Sequence, residues 1–281
     1  MTEEPLIVLT YPGHFMLAAL TIQSYLQHHN PPEIVIVADD ISQHAWPEYA
    51  DDCKNFYKQK IVLASSLECL KNESSGWIRQ QLLKLHLDQL VDFPSWFFTD
   101  GDIVFQYPAS KNTVPFSIVR GEHVREGQNN FVKSMLGLDT VGICAQHPDI
   151  DWEPDNTTQV CVSNPPFRSM TAKDLVALRK YVETLHNQPF VDVWISCTTR
   201  LECSVSEWEL LENFKTHIQQ QLSVLIYYPT RPKDHAKTKQ SDPDFCEHHF
   251  MCDANFGRDE LAKLNIEVTD QIWQHLEKIS K

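Results

Sequence analysis

The sequence predicts an α/β fold, a mostly parallel sheet with helices on both faces. Three observations predict it. Short apolar runs, Leu6-Ile7-Val8-Leu9, Ile34 to Ala38, Ile61 to Leu63 and Trp96 to Phe98, carry no polar alternation, as strands buried on both faces do. Stretches of helical period lie between them, the arrangement of parallel βαβ units. The fourth run ends in Asp100-Gly101-Asp102, two carboxylates at a strand exit.

Taken in order, Leu6 to Leu9 is the first strand, and His14 to His28 follows as a helix with Phe15, Ala18, Ile22 and Leu26 on one face. Ile34 to Ala38 is the second strand and stops at Asp39-Asp40. A helix over Ser42 to Tyr57 leads to the third strand, Ile61 to Leu63. Ser75 or Gly76 opens a helix from Trp77 to Val91 with Ile78, Leu82, Leu85 and Gln89 in one stripe. The aspartate-bearing strand comes next. In parallel sheets ligands bind outside the carboxyl ends of the strands, so Asp39, Asp40, Asp100 and Asp102 are expected to converge on one edge.

Composition narrows the function classes. The chain has 281 residues, 42% of them hydrophobic, enough for one large domain or two small ones. Its 24 Lys plus Arg against 38 Asp plus Glu give a formal charge of -14. Such a field repels polyanions and argues against general nucleic-acid binding. No stretch approaches the ~20 apolar residues of a transmembrane segment, and the acidic start Met-Thr-Glu-Glu-Pro lacks the basic region of a signal peptide. A cytoplasmic protein is the expectation. The eight cysteines include no C-x-x-C pair and read as reduced thiols. Cys246 and Cys252, with His248 and His249 between them, do not have the spacing of a zinc knuckle.

Two aspartates at the end of a buried strand cannot both be desolvated and ionised without a compensating cation. Hard oxygen ligands of this kind suit Mg²⁺ or Mn²⁺, ions that leave positions open for phosphate oxygens. The intervening Gly101 would let a ligand approach the backbone. The bland alternative is a polar strand exit whose aspartates cap a turn. On the preceding helix Trp77, Gln81 and Lys84 recur at i, i+4, i+7 and form a polar face on which Lys84 can meet a metal-bound pyrophosphate. Its alternative is a solvated surface lysine.

The run Gly76-Trp77-Ile78-Arg79-Gln80-Gln81-Leu82-Leu83-Lys84-Leu85, followed by Phe98-Thr99-Asp100-Gly101-Asp102-Ile103-Val104-Phe105, resembles a little-characterised group of GT-A-like glycosyltransferases. That group carries a W-x-x-Q-Q-x-x-K-L helix before a D-S-D-x-x-F strand end. Val160 to Phe167, leading into a helix from Thr171 to Leu185, is similar to its second half. Ser206-Glu207-Trp208-Glu209-Leu210-Leu211-Glu212-Asn213-Phe214 resembles its S-E-Y-x-x-Y-G-N-Y signature. The chain departs from the pattern at Gly101, where serine is usual, and at Leu211-Glu212, where tyrosine and glycine are usual.

The resemblance implies a Rossmann-like, single GT-A-like domain over residues 1–281. Residues 1–105 would be its nucleotide-sugar-binding half, 106–228 its acceptor half, and 229–281 a basic loop with C-terminal helices. It implies a metal-dependent transferase that moves a sugar from a nucleotide-sugar donor to a glycan or other hydroxyl acceptor, with Mn²⁺ or Mg²⁺ as cofactor. Asp100 and Asp102 would hold the metal, and Asp39, Trp77, Gln81 and Lys84 would contact the donor. Glu207, opening a helix behind a Ser206 cap, would activate the acceptor as a base, favoured in its ionised form by the helix dipole. A first-turn glutamate that merely satisfies the helix end is the competing reading.

Pro229 to Lys239 gathers basic and imidazole groups, a loop able to close over a pyrophosphate through Lys233. Enzymes of this kind often take a further metal ligand from a C-terminal histidine. His235 is assigned here, with His248 and His249 left open beside it. A final helix, Asp270 to Ile279, looks structural. Two other classes compete with a glycosyltransferase. One is a haloacid-dehalogenase-like phosphatase, whose D-x-D normally sits on the first core strand. The other is a module that binds nucleotide or glycan without turnover.

Overall fold

The computed structural model describes residues 4–10, 15–39, 60–63, 67, 76–105, 114–120, 126–141, 145–146, 158–161, 167–201, 206–221, 223–227 and 247–249. In chain order the elements are β1 (Leu6–Thr10), α1 (Phe15–Leu26), β2 (Ile34–Ala38), β3 (Lys60–Leu63), α2 (Gly76–Lys84), β4 (Ser95–Asp100), β5 (Ile103–Phe105), β6 (Val114–Arg120), α3 (Glu126–Leu136), β7 (Ala145–Gln146), β8 (Thr158–Cys161), β9 (Phe167–Thr171), α4 (Ala172–His186), α5 (Phe190–Leu201), α6 (Glu207–Asn213), β10 (Ser223–Tyr227) and β11 (Glu247–His249). The chain is α/β and divides into two compact units. One comprises Met1–Ser66, Ser95–Lys111 and Asp242–Lys281; the other comprises Leu67–Pro94 and Asn112–Ser241.

In the first unit four strands form a parallel sheet in the order β3-β2-β1-β4. All five residues of β1 and of β2 are buried, which explains the unbroken apolar runs Leu6 to Leu9 and Ile34 to Ala38. Each such aliphatic side chain contributes about 1.5–3 kcal/mol on burial. Helix α1 is buried almost all round. Leu17, Ala18, Leu20 and Ile22 are fully covered, and so are Thr21, Ser24 and Tyr25. Leu26, expected on the apolar face, is 43% exposed. Tyr25 stacks on His29 and on Phe97, at 4.4 and 5.4 Å, and meets Phe105 edge-on at 5.2 Å.

In the second unit a four-stranded sheet runs β7-β10-β6-β8, parallel except for the β6/β8 pair. Helix α4 starts behind a threonine cap. Thr171 Oγ1 accepts from the Asp174 amide at 3.1 Å, and the helix ends at Asn187 in the left-handed conformation, φ 52°. Phe131, Phe190 and Trp194 pack together, with centroids 5.0 and 6.0 Å apart around the indole.

The helix expected to run to Val91 stops at Lys84 and is followed by a 3-10 turn, Leu87–Gln89. The cause is tertiary. Arg179 of α4 donates to the Leu85 carbonyl and forks onto Asp88, at 2.7 Å to Oδ1 and 2.5 Å to Oδ2. With Leu85's carbonyl engaged there, the Gln89 amide bonds three residues back to His86, and the Leu82 carbonyl, taken by the His86 ring, leaves the His86 amide to Leu83, as in a 3-10 turn. The helices expected over residues 42–57 and 270–279 lie outside the described residues.

Candidate functional site

Two places in the molecule gather the residues singled out by the sequence. In the first unit, the strand order places β1 between β2, reached next in the chain, and β4, reached two strands later. The gap between β1 and β4 is therefore the switch point of this sheet, where parallel α/β proteins bind ligands. Asp100 is in register with Leu9 at the carboxyl end of β4. Asp39 follows β2 on the same edge, its amide bonded to the Thr10 carbonyl at 2.8 Å. Asp39 is buried, whereas Asp100 and Asp102 are each half-buried.

Gly101 has a specific reason to lack a side chain. A Cβ there would lie 2.8 Å from the Leu9 carbonyl oxygen and 3.1 Å from Thr10 Cβ. The space that glycine leaves is thus filled by strand β1, not by a ligand as expected.

Asp100 and Asp102 form a hard-oxygen pair whose chemistry would fit Mg²⁺ or Mn²⁺. Among the described residues no set of three or more metal-ligating side chains is assembled. Strand β11 pairs antiparallel with β5, putting His249 in register with Ile103 and His248 with Val104. Asp40, Lys233 and His235 lie outside the described residues.

In the second unit, Gln81 and Lys84 of α2 meet Glu207 of α6. Lys84 Nζ is 3.0 Å from Glu207 Oε1. The hydrogen-bond network turns the Gln81 amide nitrogen toward Glu207, donating to Oε1 at 2.7 Å and also to Oε2. Lys84 is 4% exposed and is not a solvated surface residue. Trp77 belongs to the first turn of α2. Ser206 caps α6 as its sequence predicts, accepting from the Glu209 amide at 3.2 Å, so Glu207 stands in the first turn where the helix field favours negative charge.

Sequence reasoning missed the rest of this cluster. Trp208 is fully buried, with Lys84 Nζ 5.3 Å and Arg168 Cζ 4.8 Å from its ring centre. Arg168 pairs in turn with Glu212, also fully buried. Each cation over the indole is therefore neutralised by a glutamate of the same helix. The one available signal was Glu212 itself, a carboxylate in an otherwise apolar run, Leu210-Leu211. Helix α6 then passes into a π-turn, Phe214–Ile218, closed by the Gln219 amide on the Phe214 carbonyl at 3.1 Å.

His86 is buried, and burial pushes its pKa down to about 4. Its Nδ1 donates to the Leu82 carbonyl at 2.8 Å, and its ring meets Phe190 edge-on at 5.7 Å.

No family model matches the chain, and no curated protein matches it. Solved structures resemble it in outline. An active-site mutant of LgtC aligns over 97% of this chain and 99% of its own at 9% identity, with a TM-score of 0.46. The apo-form glycosyltransferase GlyE of Streptococcus pneumoniae aligns over 99% of this chain and 63% of its own at 11% identity and a TM-score of 0.45. The inositol-1-phosphate CTP transferase of T. maritima aligns over 100% of this chain and 98% of its own at 10% identity, with a TM-score of 0.42.

Proposed function

We propose that the protein is a metal-dependent glycosyltransferase that takes its sugar from a nucleotide-activated donor and passes it to a hydroxyl acceptor. The observation that carries this reading is the placement of Asp100 at the switch-point edge of a parallel sheet, one glycine from Asp102. Mg²⁺ or Mn²⁺ held by the two carboxylates would neutralise a departing nucleoside diphosphate. Asp100 and Asp102 bind and orient; Asp39, on the same edge, supplies a further polar contact for the donor. Trp77, Gln81 and Lys84 are assigned to the donor on the strength of the motif resemblance, as are Lys233 and, for the metal, His235.

Glu207 is assigned to acceptor activation, by taking the hydroxyl proton on a carboxylate oxygen. Its 1% exposure and its pairing with Lys84 and Gln81 favour a second reading of the same cluster. In that reading Glu207 and Lys84 are an internal brace between α2 and α6, and Lys84 is not available to a phosphate.

A thermal-shift screen of nucleotide sugars with and without Mn²⁺ tests the main proposal, because a ligand of the native state raises its melting temperature with occupancy. One nucleotide sugar should stabilise the protein only in the presence of Mn²⁺, and Asp102→Asn should remove that stabilisation while leaving the unliganded melting temperature nearly unchanged. A donor that stabilises the Asn variant as well as the wild type overturns the assignment of the metal to these carboxylates.

A further inference from the structure

We propose that Thr21 and Ser24 of α1 are positioning residues for Asp102, holding the strand that leaves the aspartate pair as a neighbouring strand would. The proposal rests on reading Asp100 and Asp102 as the metal-binding pair. Strand β5 begins one residue after Asp102 and is only three residues long. A strand so short is held by its edges. On one edge it pairs with β11. On the other edge there is a helix instead of a strand: the Ile103 amide donates to Thr21 Oγ1 at 3.1 Å, and the Phe105 amide donates to Ser24 Oγ at 3.0 Å.

The match follows from two periodicities. Amides at i and i+2 of a strand face the same edge, and side chains at i and i+3 of a helix lie on one face. The hydroxyls also have a defined polarity. Thr21 Oγ1 donates its proton to the Leu17 carbonyl at 3.2 Å, and Ser24 Oγ donates to the Thr21 carbonyl at 2.9 Å. With its single proton committed to the helix, each oxygen presents only lone pairs to β5. Thr21, Ser24 and Ile103 are fully buried and Phe105 nearly so; water offers no substitute acceptor there.

The two carboxylates are thus anchored separately. Asp100 is fixed by the β1/β4 register, and Asp102 by β5, with Gly101 wedged against Leu9 between them. Their spacing is set by α1 as much as by the sheet. Mg²⁺ and Mn²⁺ sites demand near-octahedral geometry, so a slack β5 should cost metal affinity before it costs the fold.

The test is Mn²⁺ affinity of the full chain, measured by water-proton relaxation well below the melting temperature, for wild type, Thr21→Val, Thr21→Ser and Ser24→Ala. Thr21→Val keeps the shape and removes the acceptor; we expect about 10-fold weaker Mn²⁺ binding, the scale of a lost supporting hydrogen bond at a metal site. Thr21→Ser keeps the hydroxyl and should bind Mn²⁺ within about two-fold of wild type even if it melts earlier from the lost methyl. A purely structural threonine would show the opposite pattern, with both variants less stable and both binding Mn²⁺ as wild type does, and that result overturns the proposal. If Thr21→Val does not fold, Ser24→Ala carries the test under the same criterion. Failure of the underlying reading has its own signature: wild-type protein that shows no saturable Mn²⁺ binding, or binding that survives replacement of both Asp100 and Asp102 by Asn.

Discussion

Lys84 Nζ and Glu207 Oε1 sit 3.0 Å apart in side chains that are 5% and 1% exposed, so two opposite charges have been taken out of water together. Removing one partner strands the other. Lys84→Met and Glu207→Gln should each destabilise the protein by about 3–5 kcal/mol, while the double variant should recover most of that loss. Urea unfolding of the four proteins completes the cycle. Additive single losses would mean the two groups do not sense each other.

Kinetics separate the two roles of Glu207. If its carboxylate takes the acceptor proton, Glu207→Gln lowers kcat by about 10²-fold or more with donor affinity nearly unchanged. If it only braces α2 against α6, kcat falls no further than the folded fraction does. Steady-state rates corrected for the folded fraction decide between these.

Gly101→Ala tests the wedge. The new Cβ would start 2.8 Å from a backbone oxygen, which no rotamer change can relieve. A loss of about 1–3 kcal/mol is expected, as for overpacking elsewhere, and the same variant should weaken Mn²⁺ binding by displacing Asp102 from Asp100. Denaturation and relaxation measurements on one preparation check both. Unchanged stability would mean that β4 and β1 separate easily at this edge.

His86 supplies a pH signature. Its pKa falls from 6.5 to about 4 on folding because burial disfavours the imidazolium. Below pH 6.5 the unfolded chain therefore binds the proton that the folded chain refuses, and stability falls as pH drops through the window from about 6.5 to 4. The full effect is about 3 kcal/mol relative to pH 7. His86→Leu should remove this contribution to the acid slope of a stability-against-pH curve. An identical slope in the variant would assign it to other groups.

What could be read in advance was local. The β1 and β2 strands are apolar on both faces, and a run of that kind has few other structures open to it. The cap at Ser206 bonds to an amide three residues away, so residue order alone implies it. The placement of Asp39 and Asp100 on one edge followed from the βα alternation. What escaped was decided by distant partners. The turn after α2 is held by Arg179, 91 residues beyond Asp88. The ladder between α1 and β5 spans 82 residues, and two hydroxyls in an apolar helix carry no hint of it. Burial of Lys84 and Glu207 was equally hidden, since a charged side chain reads as exposed until its partner is known.

Strand β11 has a consequence for how the chain is made. It is contributed by residues 247–249, yet it completes β5, which follows the aspartates by a single residue. A growing polypeptide emerging from the ribosome can assemble β1, β2, β3 and β4 early, but the edge of β5 waits for more than a hundred further residues to be translated. On the proposed reading of Asp100 and Asp102 as a metal pair, that site is completed late in biosynthesis. A chain cut short before residue 247 would leave β5 without its β11 partner, an unpaired edge of the kind that can recruit a strand from another molecule.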